Sequence, residues 1–407
     1  MSWIDRRDFL RTTGALGLSS LPPSRNASAA SMFQDPLGIR DEFHVTRTQT
    51  YLNMSSVGPM PTVVHNAAVA YANDQQVAPA HRYSQSMDIK EQARLKFANL
   101  FGATRDEVAL LFSTSDAENI VTNALDLQPG DNVVIDELHF ITTFVLYRRL
   151  EKTKGIELRI VPHTNGRSRL EDFEARTDAR TRLISVAWVS NRNGYRHRLS
   201  ELADLAHRHG GLLFADGIQS LGTFPTNLHD TGADFVCANS YKYLLSGWGA
   251  APFYVREEHL TRIRPDRFGH NHVSKTLPDF HFELKQTAEQ YEYAGLVYGT
   301  VTQLNAALGY ISQVGLNRIE THTIALAQNL RDGVAALGYK MFTPADNPSC
   351  IMSFMHGRDT SHIRRVLNEE KISVTLRENG TQLRASVGMF NNQDDINHLL
   401  RVLARLA

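Results

Sequence analysis

The run Phe214-Ala215-Asp216 is apolar and ends in an acid. A second run, Asp234-Phe235-Val236-Cys237-Ala238-Asn239-Ser240-Tyr241-Lys242, ends in a lysine beside Asn, Ser and Tyr. A lysine amine can condense with an aldehyde. An acid can pair with a pyridine nitrogen and keep it protonated. The two together suit pyridoxal phosphate (PLP), whose protonated ring draws electrons from a substrate α-carbon. Lys242 must be unprotonated to carry a proton in such chemistry, so a depressed pKa is expected. Asp216, if buried beside a cation, is stabilised by that pairing and would be costly alone.

Other residues fit the same chemistry. Thr114 and Ser115 follow a strand-like run and start a helix, whose free backbone N–H groups and partial positive charge suit a phosphate. Plain N-capping by these residues would look identical in sequence. Asn239 and Tyr241 flank the lysine. Arg384 lies in a strand-like context near the C-terminus, and a guanidinium can hold a carboxylate through two parallel hydrogen bonds. Arg377 is close by in sequence as a second anion contact. His270-Asn271-His272 offers too few ligands for a metal and reads as loop polarity, so no metal site is expected.

The elements that must position these residues alternate in type. Val108–Phe112, Asn132–Asp136, Glu157–Val161, Leu183–Val189, Leu212–Asp216, Phe235–Ala238 and Pro252–Val255 read as strands. They are largely apolar throughout, as in a sheet buried on both faces. Helical patterns such as Ile141–Lys152 and Leu199–His209 lie between them. The alternation predicts an α/β fold with a mostly parallel sheet and helices on both faces. The candidate residues fall at or just after the C-terminal strand ends, where open α/β sheets bind ligands. Arg264–Gln290 reads as a long irregular segment, of a kind usually functional or mobile. Tyr298–Val314 and Leu316–Leu337 read as helices. The tail gives strand Ser349–Phe354, helix Thr360–Glu369, strands Ile372–Leu376 and Leu383–Val387, and helix Asp394–Leu406.

Several motifs occur in a shared order: Tyr51-Leu52-Asn53 with Gly58-Pro59, Ser113-Thr114-Ser115-Asp116-Ala117-Glu118-Asn119, Ser190-Asn191-Arg192-Asn193-Gly194, and Leu383-Arg384-Ala385-Ser386. With Asp216 and Lys242 they resemble the class V aminotransferase family of fold type I PLP enzymes. That family includes cysteine desulfurases, isopenicillin N epimerase-like proteins and carbon–sulfur lyases. The resemblance runs from about Tyr51 to the C-terminus. It implies a mostly parallel seven-stranded central sheet with helices on both faces and a smaller α+β C-terminal domain. The expected division is a large PLP-binding domain over 55–295 and a small domain over 296–407, preceded by an arm over 30–54.

The resemblance also implies roles. Thr114, Ser115, Asn239 and Tyr241 would serve the phosphate end, with Tyr241 standing where many relatives carry His. Asn191 and Gln219 would lie near the cofactor's phenolic oxygen. His139 would stack on the ring, with Phe140 the alternative. Arg384 would grip the substrate carboxylate. A homodimer is implied, with Tyr298-Gly299-Thr300, or in a competing alignment Gly295-Leu296, touching the partner's phosphate. Persulfide-forming desulfurases carry a cysteine just before the carboxylate-binding Arg. Val374–Gln382 contains none, which speaks against sulfur transfer through a protein persulfide. Aminotransferase chemistry on an amino-acid-type substrate is put first. Carbon–sulfur or β-elimination lyase and epimerase outcomes stay open, as does a PLP-binding protein without turnover.

Asp5-Arg6-Arg7-Asp8-Phe9-Leu10-Arg11, a mildly apolar stretch to Leu21 and Ala27-Ser28-Ala29 look like a twin-arginine signal peptide over 1–29. They predict passage through the twin-arginine translocase to the periplasm. That address, together with the family, suggests tailoring of an exported secondary metabolite such as a siderophore. Lys plus Arg number 43 and Asp plus Glu 43, so no basic excess argues for nucleic acid. No apolar run reaches the roughly 20 residues that span a bilayer, so no stable membrane insertion is expected. Cys237 and Cys350 are the two cysteines, and Cys237 reads as a small core hydrophobe.

Overall fold

The computed structural model describes residues 35–406. The twin-arginine segment and the start of the arm lie outside these residues. Seven strands form the central sheet: β1 Val108–Leu111, β2 Asn132–Asp136, β3 Glu157–Val161, β4 Thr181–Ala187, β5 Leu212–Asp216, β6 Phe235–Cys237 and β7 Ala251–Val255. Their order is β1-β7-β6-β5-β4-β2-β3. All neighbours pair in parallel except β7, which is antiparallel to β1 and β6.

Alternation along the strands divides the core in two. Leu110, Val134, Ile184, Val186, Leu213, Ala215, Val236 and Tyr254 join one apolar cluster. Ala109, Leu111, Val133, Ile135, Leu183, Phe214, Phe235 and Phe253 join the other. A sheet covered on both faces needs apolar residues at every position, which is why these strands carry no polar period. The second layer is closed by α3 Thr114–Ala124 and α4 Ile141–Lys154. The first is covered in part by α5 Leu199–Arg208.

Two long helices precede the sheet, α1 Thr62–Val77 and α2 Pro79–Phe101. Both pack on α6 Tyr298–Val314, which follows the large sheet in the chain. The C-terminal part holds a four-stranded antiparallel sheet with Ile351–Met355 between Lys340–Met341 and Gln382–Ser386, and Thr375–Arg377 at the far edge. Among the described residues no helix is long and apolar enough to cross a membrane.

Two expectations change. Arg264–Gln290 is not irregular throughout: Val273–Thr276 and Phe282–Leu284 pair as an antiparallel hairpin. Its sequence gave no strand signal because its side chains are mostly exposed, so no burial pattern was imposed on them. The single strand expected over 372–376 is two strands. Ile372–Ser373 pairs in parallel with Thr50–Tyr51, whereas Thr375–Arg377 pairs with Gln382–Arg384. The chain changes partners at Val374, and that change ties the N-terminal arm to the small sheet.

Candidate active site

Lys242 lies in the turn after β6 and is 6 % exposed. Burial pushes its amine down to about 8, against the pull of Asp216, and Arg384 and Arg377 add to the depression. The turn is held tightly. Gly58 donates its N–H to Tyr241 O at 2.9 Å. A Cβ on Gly58 would lie 2.2 Å from Lys242 O, so no other residue lets these segments meet. Leu245 N–H donates to Lys242 O at 3.0 Å, and Leu245 itself takes φ +58°. A non-glycine residue held there costs about 1–3 kcal/mol, of the kind that clusters at functional turns.

Asp216 ends β5, directly opposite Ala187 of β4. Burial pushes its carboxyl up to about 6, opposed by the N–H of Ile218 on Oδ1 and by Lys242. A cleft of about 540 Å³, its open mouth included, lies over these strand ends. Its lining brings together Thr114, Ser115, Asn191, Asp216, Gln219, Asn239, Tyr241 and Lys242. The N-cap of α3 is Ser113, which accepts from Asp116 N–H, so Thr114 and Ser115 begin the helix itself. Thr114 Oγ1 accepts from Asn239 N–H at 3.0 Å, which joins the helix start to the lysine turn. Tyr241 stacks on Trp248 with ring centroids 4.5 Å apart. Gln219 donates to Ser55 O at 2.9 Å.

His139, expected to stack on the ring, is 3 % exposed and is not part of the cleft lining, whereas its neighbour Phe140 is. Both imidazole nitrogens are engaged in the ring plane: Nε2 meets Ser185 Oγ at 3.2 Å and Nδ1 accepts Phe140 N–H at 2.7 Å. Burial keeps it neutral, with its pKa down to about 4 against the pull of Asp136. One lining residue escaped the sequence reading altogether. Glu118 is 3 % exposed and shares the cleft with Asp216. The signal was present, because Thr114, Ala117, Glu118, Val121 and Thr122 form the buried stripe of α3 and an acid stands within it.

Arg384 and Arg377 lie outside this lining, on the small sheet. Thr375 pairs with Arg384 and Arg377 with Gln382, so both guanidinium stems rise from the same sheet face. Arg384 is 2 % exposed. It donates to Asn191 O and Ser56 Oγ, each at 2.6 Å, and to Thr375 Oγ1 at 3.0 Å. All three are neutral, and among the described residues no carboxylate forms an ion pair with it. Burial and Arg377 lower its pKa to about 10, which leaves it charged at neutral pH. A buried cation without an anionic partner is costly, and a substrate carboxylate would supply one.

The remaining candidates lie outside this cleft. Thr300 Oγ1 donates to Trp248 O of its own chain at 2.9 Å, while Gly295 has open space around it. Cys237 and Cys350 are free and buried. His272 is buried. Asp234, Glu258 and His259 do approach one another. Asp234 there accepts from His259 at 2.7 Å and from His207 at 2.9 Å, a buried clasp between β6 and its surroundings.

The residues present fit PLP. Asn191 Oδ1, Gln219 Oε1 and Asn239 Oδ1 all face the cleft region buried and without a hydrogen-bond partner among the described residues. Buried polar atoms are seldom left so; as acceptors these oxygens call for a donor, while PLP's phosphate and phenolic oxygens would pair with the N–H groups of the same amides. A lysine amine whose pKa is brought down to about 8, an acid at a strand end and a helix N-terminus meet in the same space.

Residues 50–399 match the family model described as aminotransferase class-V. A probable cysteine desulfurase of Methanothermobacter thermautotrophicus is 26 % identical over 395 residues, covering 91 % of this chain and 97 % of that protein. The apo structure of cysteine desulfurase from Thermococcus onnurineus NA1 superposes with a TM-score of 0.81 at 22 % identity, covering 91 % of this chain and 98 % of that one. C-DES, a variant of which was solved with glycine covalently linked to its PLP cofactor, superposes with a TM-score of 0.83 at 20 % identity, covering 90 % and 98 %. The same protein, as a cystine C–S lyase with its reaction product cysteine persulfide, gives 0.82 at 20 % identity over 89 % and 99 %.

Proposed function

The chain belongs to the class V aminotransferase family and is a PLP-dependent enzyme, and we propose that it acts on an amino-acid-type substrate by aminotransferase chemistry. The observation that carries the substrate class is Arg384, a buried guanidinium without a carboxylate partner among the described residues. PLP, when bound, supplies the electron sink that makes a substrate α-proton acidic. This chain's residues do the rest. Thr114, Ser115 and the first N–H groups of α3 bind the phosphate, with Asn239 and Tyr241 beside them. Asp216 holds the pyridine nitrogen protonated. Asn191 and Gln219 meet the phenolic oxygen. Lys242 Nζ anchors the cofactor and, once released, carries a proton from the substrate α-carbon as general base. Arg384 fixes the α-carboxylate, with Arg377 on the same sheet face as a second anion contact.

The second reading is elimination, and the name of C-DES as a cystine C–S lyase favours it. Its persulfide-transferring form is disfavoured here. The segment Val374–Gln382 contains no cysteine. Cys350 is buried with its thiol pushed up to about 11, and burial pushes the Cys237 thiol well up too. Neither supplies a thiolate nucleophile at neutral pH. A product assay separates the readings. Purified protein loaded with PLP is expected to convert an amino acid plus a keto acid into the exchanged pair. Release of pyruvate and ammonia from a β-substituted amino acid, without exchange, would reject transamination for elimination. Spectral binding of substrates with no product would mark a binding protein instead.

We further propose a homodimer. Phe268, Phe280, Phe282 and Trp248 are exposed, Phe280 at 92 %, around the hairpin and the lysine turn. Aromatic exposure on this scale suits a protein surface rather than water. Sedimentation of the PLP-loaded protein is expected to give twice the chain mass, and a fully active monomer would defeat the proposal. Export rests on the sequence of residues 1–29 alone: the twin arginines, the Phe-Leu and apolar stretch after them, and Ala27-Ser28-Ala29. On that basis, amino-acid groups of exported secondary metabolites such as siderophores are substrates to assay beside free amino acids.

A further inference from the structure

The layer between the central sheet and α3 and α4 is apolar, built from residues such as Ala117, Ile120, Val121, Leu150, Phe214 and Phe235. One polar island interrupts it. Glu118 Oε1 accepts from Ser185 Oγ at 2.6 Å and from Tyr147 OH at 3.1 Å, and Oε2 accepts from Thr143 Oγ1 at 3.0 Å. Burial raises the Glu118 carboxyl to about 7 despite the hydrogen bonds from Ser185 and Thr143. An apolar residue of similar size would fill this space at less cost, so the acid is not there for stability.

The direction of each hydrogen can be worked out. A neutral imidazole nitrogen without a proton has one in-plane lone pair. His139 Nδ1 spends it on Phe140 N–H, at 2.7 Å. Nδ1 therefore carries no proton, and Nε2 carries it and donates to Ser185 Oγ. Ser185 then has its own hydrogen free for Glu118 Oε1. Thr143 lies 3.2 Å from Nδ1, but that lone pair is taken, so its hydrogen goes to Glu118 Oε2. A single relay runs from Glu118 through Ser185 and His139 to the backbone of Phe140. Phe140 and Thr143 both line the cleft.

We propose that Glu118 is a positioning residue of the cofactor site: by taking the Ser185 hydrogen it leaves Ser185 Oγ free to accept from His139 Nε2, so that the imidazole, its tautomer set by the Phe140 N–H, is held at both nitrogens and keeps in place the Phe140 wall against which the aromatic ring of PLP must fit. The proposal rests on the reading of this cleft as the PLP site. A glutamine at position 118 keeps the shape but turns one acceptor into a donor. That amide points at Ser185 or at Thr143, and either choice reverses one hydroxyl and competes for a His139 nitrogen.

The test uses the full chain labelled with ¹⁵N-histidine, the His139 signal being assigned with His139→Gln. Before PLP is added, the wild type is expected to show an unprotonated Nδ1 and a protonated Nε2. In Glu118→Gln one of these two nitrogen signals is expected to shift, as Nε2 loses Ser185 as its acceptor or Nδ1 shares its lone pair with Thr143, and the PLP dissociation constant to rise by about tenfold, the scale of one misdirected buried hydrogen bond. Both His139 nitrogen signals unchanged, or PLP affinity within about twofold of wild type, overturns the proposal. Should Glu118→Gln not fold, Ser185→Ala decides: it cuts the relay while leaving Glu118 its bonds to Thr143 and Tyr147, and must show both changes. A wild type that takes up no PLP sinks the cofactor reading and the proposal with it. A wild type that binds PLP beside unaffected variants sinks the proposal alone.

Discussion

After incubation with PLP and exhaustive desalting, Lys242→Ala is expected to be colourless, where the wild type stays yellow and keeps its cofactor through borohydride reduction. The effect should be close to all-or-none, because the proposed mechanism makes Nζ both the covalent anchor and the base that meets the substrate α-proton. The phosphate end of the site does not depend on the lysine, so the variant should still bind PLP reversibly. Loading should also depend on pH. Only the unprotonated amine attacks the aldehyde, and burial brings the Lys242 pKa down to about 8. The rate of covalent loading is therefore expected to climb as pH rises towards 8 and to level off above it. Were it to climb unabated to pH 10, the lysine would have its ordinary pKa. A reduced peptide carrying the cofactor on another lysine would overturn the assignment.

For Arg384→Ala we expect normal uptake of PLP and a large loss of turnover. Removing one side of a buried, charge-assisted contact costs roughly 2–5 kcal/mol. That corresponds to a fall in kcat/KM of roughly 30- to 5,000-fold. Arg384→Lys should restore only part, since an ammonium cannot reproduce the planar fork and cannot reach Asn191 O, Ser56 Oγ and Thr375 Oγ1 at once. Steady-state kinetics on any accepted substrate decide the matter. An efficiency within about twofold of wild type would place the carboxylate elsewhere, and Arg377, on the same sheet face, would be the next residue to truncate.

The buried strands were legible because a sheet covered on both faces must be apolar at every position. Asn132–Asp136, Glu157–Val161 and Leu212–Asp216 were read from sequence with the boundaries they have in the structure. The helices Tyr298–Val314 and Thr360–Glu369 were read as well. The exposed hairpin at Val273–Thr276 and Phe282–Leu284 was not, since water-facing residues obey no burial period. Nor was the break at Val374, because a change of strand partner leaves no mark on the residues that change.

The site divides along the same line. The sequence by itself determined which residue types stand at the strand ends: Thr114 and Ser115, Asn191, Asp216 and Lys242. Local rules suffice there, because a strand end followed by a turn exposes its next few residues to the same crevice. Only the tertiary structure decided what the side chains meet. His139 was readable as a residue near the ring, but that Ser185 and the Phe140 N–H meet its two nitrogens was not. Glu118 stood in a quoted motif without a role, because an acid's meaning depends on three hydroxyls drawn from β4 and α4, far from it in the chain. Hydrogen bonds are directional and short, and no spacing in the sequence reveals which distant donor will arrive within 3 Å.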